Sequence, residues 1–187
     1  MPRRMPRIAP LNPPYPPDVQ ATFDKIMPAG IEPLVLFRTL AVNERVYRRF
    51  AAGGLLDRGR LTLRQREIII DRTCALNRCE YEWGVHIALF AAKVRFTPEQ
   101  IAATLTGGDA GWSPDERVLL DVCQELDATR HISDPLWERL SAYFTPEQIL
   151  EITALVGFYR MVSLHANALC LPPEPFAVRF PVAAVSA

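Results

Sequence analysis

The chain has 187 residues, 49% of them apolar, and its 21 basic side chains are cancelled by 21 acidic ones. A chain of this length suits one domain that can bury roughly 70% of its unfolded surface, so its core needs no disulfide or metal staple. With no excess charge to attract polyanions or anionic membranes, nucleic-acid and membrane partners are not expected.

The opening Met1-Pro2-Arg3-Arg4 is basic, but prolines from Pro6 onward prevent an apolar run of signal-peptide length, so a cytoplasmic protein is expected. Seven of the 17 prolines fall within the first 17 residues. Proline fixes φ and removes an amide donor, so residues 1–17 are expected to form an extended arm over the surface or toward a neighbouring subunit. Helical spacing begins after it with Val19, Phe23 and Ile26. It resumes beyond a turn at Ala29-Gly30 with Leu34, Phe37, Leu40, Val46 and Phe50.

Gly53-Gly54 and Asp57-Arg58-Gly59 break the chain before a helix that Thr62 caps and that carries Leu63, Ile68, Ile69 and Ile70 to about Leu76. Asn77-Arg78 interrupts it. A second helix then carries Trp83, Val85, Ile87 and Phe90 to about Lys93, with Cys79 near its first turn. Thr97-Pro98-Glu99 and Thr145-Pro146-Glu147 are helix starts of one form, a capping hydroxyl, a proline at the first helical position and an acid in the first turn. The two lie 48 residues apart, which fits either a duplicated unit or shared capping chemistry. Ser113-Pro114 and Ser133-Asp134-Pro135 start two more. No stretch alternates with period two, so the fold class is all-α, a bundle of seven or eight helices. The apolar stretch Ile149–Leu171 approaches membrane-spanning length but carries Glu151, Arg160, His165 and Asn167, so it is read as a buried or interface helix.

The four cysteines, at 74, 79, 123 and 170, have neither disulfide-framework density nor a paired zinc spacing. The segment Leu61–His86, however, places Glu67, Cys79, Glu82 and His86 within 26 residues. On a helix starting near Cys79, residues 79, 82 and 86 lie within about 60° of one another, and Glu67 reaches the same face if the two helices pack together. A thiol at a helix start meets free amides and the positive end of the dipole, so Cys79 is the expected reactive cysteine, with His86 favouring the thiolate further. Each residue also has an ordinary reading: an inert buried thiol, surface carboxylates, a hydrogen-bonded core histidine. Arg72 is read as exposed or paired with a glutamate, His165 as a hydrogen-bonded core or interface histidine, Tyr159 and Trp83 as core or pocket walls, and His131 as a surface turn residue.

The spacing Glu67, Cys79, His86, with LTLRQREI before it, Ala75-Leu76-Asn77, Glu80-Tyr81-Glu82-Trp83 and the later Val156-Gly157-Phe158-Tyr159-Arg160-Met161-Val162, resembles the carboxymuconolactone decarboxylase superfamily from about Pro33 to Leu171. The resemblance implies an alkylhydroperoxidase D-like helical domain over 18–171, a C-terminal tail over 172–187, and a homo-oligomer, trimeric, hexameric or dimeric. It implies no cofactor and no metal, although Cys79, Glu82 and His86 number enough for three ligands. In the alkylhydroperoxidase D branch two cysteines stand three apart, whereas residue 82 here is glutamate, so the resolving thiol is missing. Cys74 could replace it only if a break at Asn77-Arg78 brought it round, because five helical residues turn it about 140° away.

The resemblance thus implies an enzyme with decarboxylase-like acid–base chemistry (decarboxylation, isomerisation or hydration) on a small organic acid or lactone. His86 is the proton carrier in this reading, Glu67 and Glu82 share a proton, and Cys79 assists. The alternatives are a hydroperoxide-reducing enzyme working through Cys79 and a non-catalytic binding protein on the same fold.

Overall fold

The computed structural model describes residues 5–27 and 30–181. The basic residues 1–4, Ala29 of the expected turn and the tail beyond 181 lie outside the described residues. Among those described there are nine helices and no strand: α1 Pro17–Ile26, α2 Val35–Leu40, α3 Glu44–Gly53, α4 Leu63–Leu76, α5 Glu80–Phe90, α6 Pro98–Thr106, α7 Pro114–Thr129, α8 Asp134–Tyr143 and α9 Pro146–Ala168.

The extra helix comes from the segment expected to be continuous over Leu34–Phe50. Asn43 turns out of the helical region and its side chain accepts from the Val46 amide, closing α2 and capping α3. The break rotates the later residues, so Val46 stays 40% exposed while Tyr47 is buried. The two Thr-Pro-Glu starts do carry matching capping boxes, completed by Gln100 and Gln148. Their helices run to 9 and 23 residues, so the likeness ends at the cap.

Helix α4 is the axis of the molecule and packs against α5, α6, α7 and α9. Its residues Glu67 to Cys74 are buried without interruption, the signature of a helix covered on every side. Three isoleucines account for part of that burial, but Glu67, Asp71 and Arg72 are enclosed with them. Arg72 is therefore neither exposed nor paired with a glutamate. Its guanidinium donates to the carbonyls of Thr104 and Leu105, at 3.1 and 2.7 Å, and to Gln124 Oε1, tying α4 to the C-terminal turn of α6 and to α7. Helix α9 has the length and composition of a membrane span, yet Ile152, Leu155, Tyr159 and Val162 on its inner face are buried core residues.

Both ends of the described chain fasten to this bundle. The arm is extended as expected: the Arg7 amide donates to Leu169 O at 2.9 Å and its guanidinium to Ala168 O at 3.1 Å, supplying donors at the end of α9. The tail crosses α5, where Val178 N donates to Gly84 O and Arg179 pairs with Glu80. Glycine at 84 permits that approach, since a Cβ there would sit 2.1 Å from the Val178 carbonyl oxygen.

Candidate active site

The α4–α5 pair brings three of the four expected site residues into direct contact. His86 Nδ1 lies 2.7 Å from Glu67 Oε2, and His86 Nε2 lies 3.4 Å from Glu82 Oε1. All three side chains are buried. Glu67 reaches His86 across the packed helices, whereas Glu82 reaches it along one face of α5, four residues apart. The ring is held by Phe90, stacked at 5.3 Å between centroids, and by Tyr159 of α9, edge-on at 5.2 Å.

Burial by itself would lower the basicity of this imidazole. The charge of Glu67 and its hydrogen bond, reinforced by Glu82, outweigh burial and raise the pKa of His86 to about 10. His86 is therefore an imidazolium at neutral pH, with both N–H groups directed at carboxylates. On the far side of Glu67, Arg66 Nε donates to its Oε1 at 3.3 Å and Arg66 Nη1 to the carbonyl of Leu56 at 2.7 Å. Arg66 also lines a cleft of about 240 Å³ with Leu55, Arg58, Leu61 and Leu155, with Asp57 among its other walls.

A fourth member, Asp71, was not legible as a site residue. It stands one helical turn after Glu67, is buried, and its Oδ1 has no hydrogen-bond partner. Burial drives its carboxyl well above the usual carboxylate range. The charge of His86 opposes that rise, and the charges of Glu67 and Glu82 add to it. Glu82 Oε2 is likewise buried and without a partner. The signal available in advance was the stripe Glu67, Asp71, Cys74, spaced four and three apart on one face of α4.

Cys79 occupies the N-cap of α5 as expected, but the expected thiolate is not what its surroundings favour. Burial pushes the thiol up to about 11, against the amides of Glu82 and Tyr81, and the Glu82 charge adds to the rise. The dipole argument fails because a helix terminus stabilises charge only by a modest amount, while full desolvation costs more. His165 is half-buried with Nδ1 2.8 Å from Met161 O, and His131 is exposed. Among the described residues, no group of three or more His, Cys, Asp or Glu side chains is arranged to hold a metal ion.

Residues 43–123, which contain the whole cluster, match the model of the carboxymuconolactone decarboxylase family. Among solved structures, an uncharacterized peroxidase-related protein from Silicibacter sp. TM1040 is 21% identical with a TM-score of 0.80, over 94% of this chain and 95% of its own. An alkylhydroperoxidase AhpD core protein from Ralstonia eutropha JMP134, also described as uncharacterized and peroxidase-related, is 26% identical with a TM-score of 0.77, over 92% and 94%. The debrominase Bmp8, as a cysteine-to-alanine variant in complex with 2,3,4-tribromopyrrole, is 14% identical with a TM-score of 0.77, over 95% of each chain. No curated protein matches the sequence.

Proposed function

We propose that the chain is a member of the carboxymuconolactone decarboxylase superfamily, whose family model matches residues 43–123, and that it is an acid–base enzyme acting on a small organic acid or lactone. The observation that carries this reading is His86 held between Glu67 and Glu82 and packed against the rings of Phe90 and Tyr159. An imidazolium with a pKa of about 10 is a proton donor at neutral pH. Glu67 fixes the ring through Nδ1, leaving the Nε2 proton as the one delivered.

In a decarboxylation, the electron pair of the breaking C–C bond moves into an adjacent carbonyl and the resulting enolate carbon takes the His86 Nε2 proton. Glu82 lies 3.4 Å from that nitrogen and orients the proton, and Asp71, the carboxyl with the strongly raised pKa, is the group that resupplies the cluster. Isomerisation and hydration of an activated double bond use the same donor and base. The cleft beside Arg66 is the proposed approach; Arg58 supplies a cation to it, while Asp57 and Glu151 also line it and favour a substrate with hydroxyl or lactone groups beside its carboxylate.

The test is turnover of 4-carboxymuconolactone and a panel of related lactones and β-keto acids by the native chain and by His86→Gln. A drop in kcat of about 10²- to 10⁴-fold in the variant supports the reading. Absence of turnover across the panel, or turnover indifferent to His86→Gln, overturns it.

A further inference from the structure

Between α3 and α4 the chain passes through residues 54–62 without helix or strand. Both ends are fixed: Gly53 and Gly54 lie against the ring of Phe158, and Thr62 carries the capping box of α4. The stretch between them adds little to the core, since Leu55 and Leu56 are 38% and 45% exposed and Leu61 alone packs against it.

Polar bonds hold the segment down instead. The Arg60 amide donates to both carboxylate oxygens of Glu151 on α9, at 2.8 and 2.9 Å, and the Leu61 amide donates to Oε2 at 3.1 Å. Gln148 Nε2 donates to the Arg60 carbonyl at 3.2 Å, and Arg66 Nη1 to the Leu56 carbonyl at 2.7 Å. Glycine at 59 lets the carboxylate come this close, because a Cβ there would stand 2.6 Å from Glu151 Oε2. Few buried apolar contacts and a handful of bonds at the surface mark a segment that opens locally while the rest of the fold stays intact.

The same segment supplies five of the eight residues lining the cleft beside Arg66. Arg66 joins it to the buried cluster: Nη1 holds Leu56, and Nε donates to Glu67, whose other oxygen holds His86. With the segment down, Glu67 is fully enclosed and His86 is 4% exposed, too little for a substrate to seat on the imidazole.

We infer that residues 54–62 are a lid over the approach to His86, latched shut by the clasp of Glu151 on the Arg60 and Leu61 amides and lifted to admit substrate. As the latch parts, the lid hinges at Gly53-Gly54, Arg66 releases Leu56, and the cleft widens toward Glu67 and His86. Reclosure then excludes water from the proton transfer. The inference rests on the acid–base reading only in taking His86 as the group being guarded, and its test measures access instead of turnover, so the two fail separately.

The experiment treats the native full-length chain, Glu151→Ala, Gly59→Ala and the double variant with diethyl pyrocarbonate in mildly alkaline buffer. Carbethoxylation of each histidine is followed by mass spectrometry of tryptic peptides, on which His86, His131 and His165 fall separately, within 79–93, 131–139 and 161–179. Glu67 and Glu82, which set the basicity of His86, are untouched by these substitutions. The expected result is that His86 reacts at least about tenfold faster in Glu151→Ala than in the native chain, because losing a charge-assisted clasp shifts the lid toward its open form. Exposed His131 should react at one rate throughout. Gly59→Ala, which pushes the carboxylate off the amides, should quicken His86 as well, and the double variant should be no faster than Glu151→Ala, because both act through one clasp. A His86 rate in Glu151→Ala no faster than in the native chain overturns the inference. So does an equal gain at half-buried His165, which would report a general loosening of α9. Circular dichroism checks that the helices persist, and if Glu151→Ala does not fold, Gly59→Ala decides by the same criterion.

Discussion

Helices α4 and α7 both carry charged residues four apart, and they dispose of them in opposite ways. On α7, Arg117 and Asp121 pair at the surface at 2.7 Å, and Asp121 also meets Arg139 of α8. Solvent already serves these groups, so the pairing changes little. On α4, Glu67 and Asp71 turn inward beneath α5 and α9, and Arg72 is enclosed against α6 and α7. Each of these groups gives up its water and must recover an equivalent from the protein. Arg72 recovers most of it through Nη1 and Nη2, from two carbonyls and an amide oxygen, while its Nε stays without a partner. Glu67 recovers it from His86 and Arg66, whereas Asp71 and Glu82 each keep one buried oxygen without a partner. Unpartnered carboxylate oxygens next to a charged imidazole are placed for proton transfer, whereas the bonds of Arg72 all go to groups that do not titrate.

This contrast can be broken by substitution. Arg72→Ala strips donors from two buried carbonyls and from Gln124, and it should lower unfolding free energy by about 3 kcal/mol in urea denaturation. A loss no larger than that of a surface arginine would refute the structural role given to it.

Asp71→Asn should act through pH. A carboxyl whose folded pKa is raised contributes stability that is fully present below its unfolded value, near 3.8, and is lost as pH climbs toward the folded value. The variant cannot ionise there, so its stability relative to the native chain should rise with pH above that point, by up to about 1.4 kcal/mol per pH unit. Parallel stability curves for the two proteins from acid to neutral pH would show that Asp71 does not titrate as described. The smallest effect is expected for Arg117→Ala, which removes a half-exposed pair and a bond to the Gly107 carbonyl and should cost about 1 kcal/mol with turnover unchanged. A larger cost would mean that the α7–α8 surface is more tightly coupled to the core than its exposure implies.

Much of the architecture was legible before any coordinates. Thr62, Thr97 and Thr145 announce their helices because a capping hydroxyl acts within three residues, a range the sequence displays directly. The spacing of Glu82 and His86 along α5 is equally local. The break at Asn43 was missed because a polar residue between apolar ones fits a continuous amphipathic helix as well as a cap, and packing of Tyr47 selects between them.

By itself, then, the sequence determined an all-helical chain, a match to a family model over residues 43–123 and the short-range spacings that put Cys79, Glu82 and His86 along one helix. Tertiary packing decided which charges lose their water. Enclosure of α4 by four neighbours places Glu67 against His86, converts Asp71 from a surface acid into a buried one, and raises the Cys79 thiol instead of ionising it. Desolvation depends on everything that surrounds a group, and those surroundings come from residues as distant in sequence as Tyr159 and Ser163.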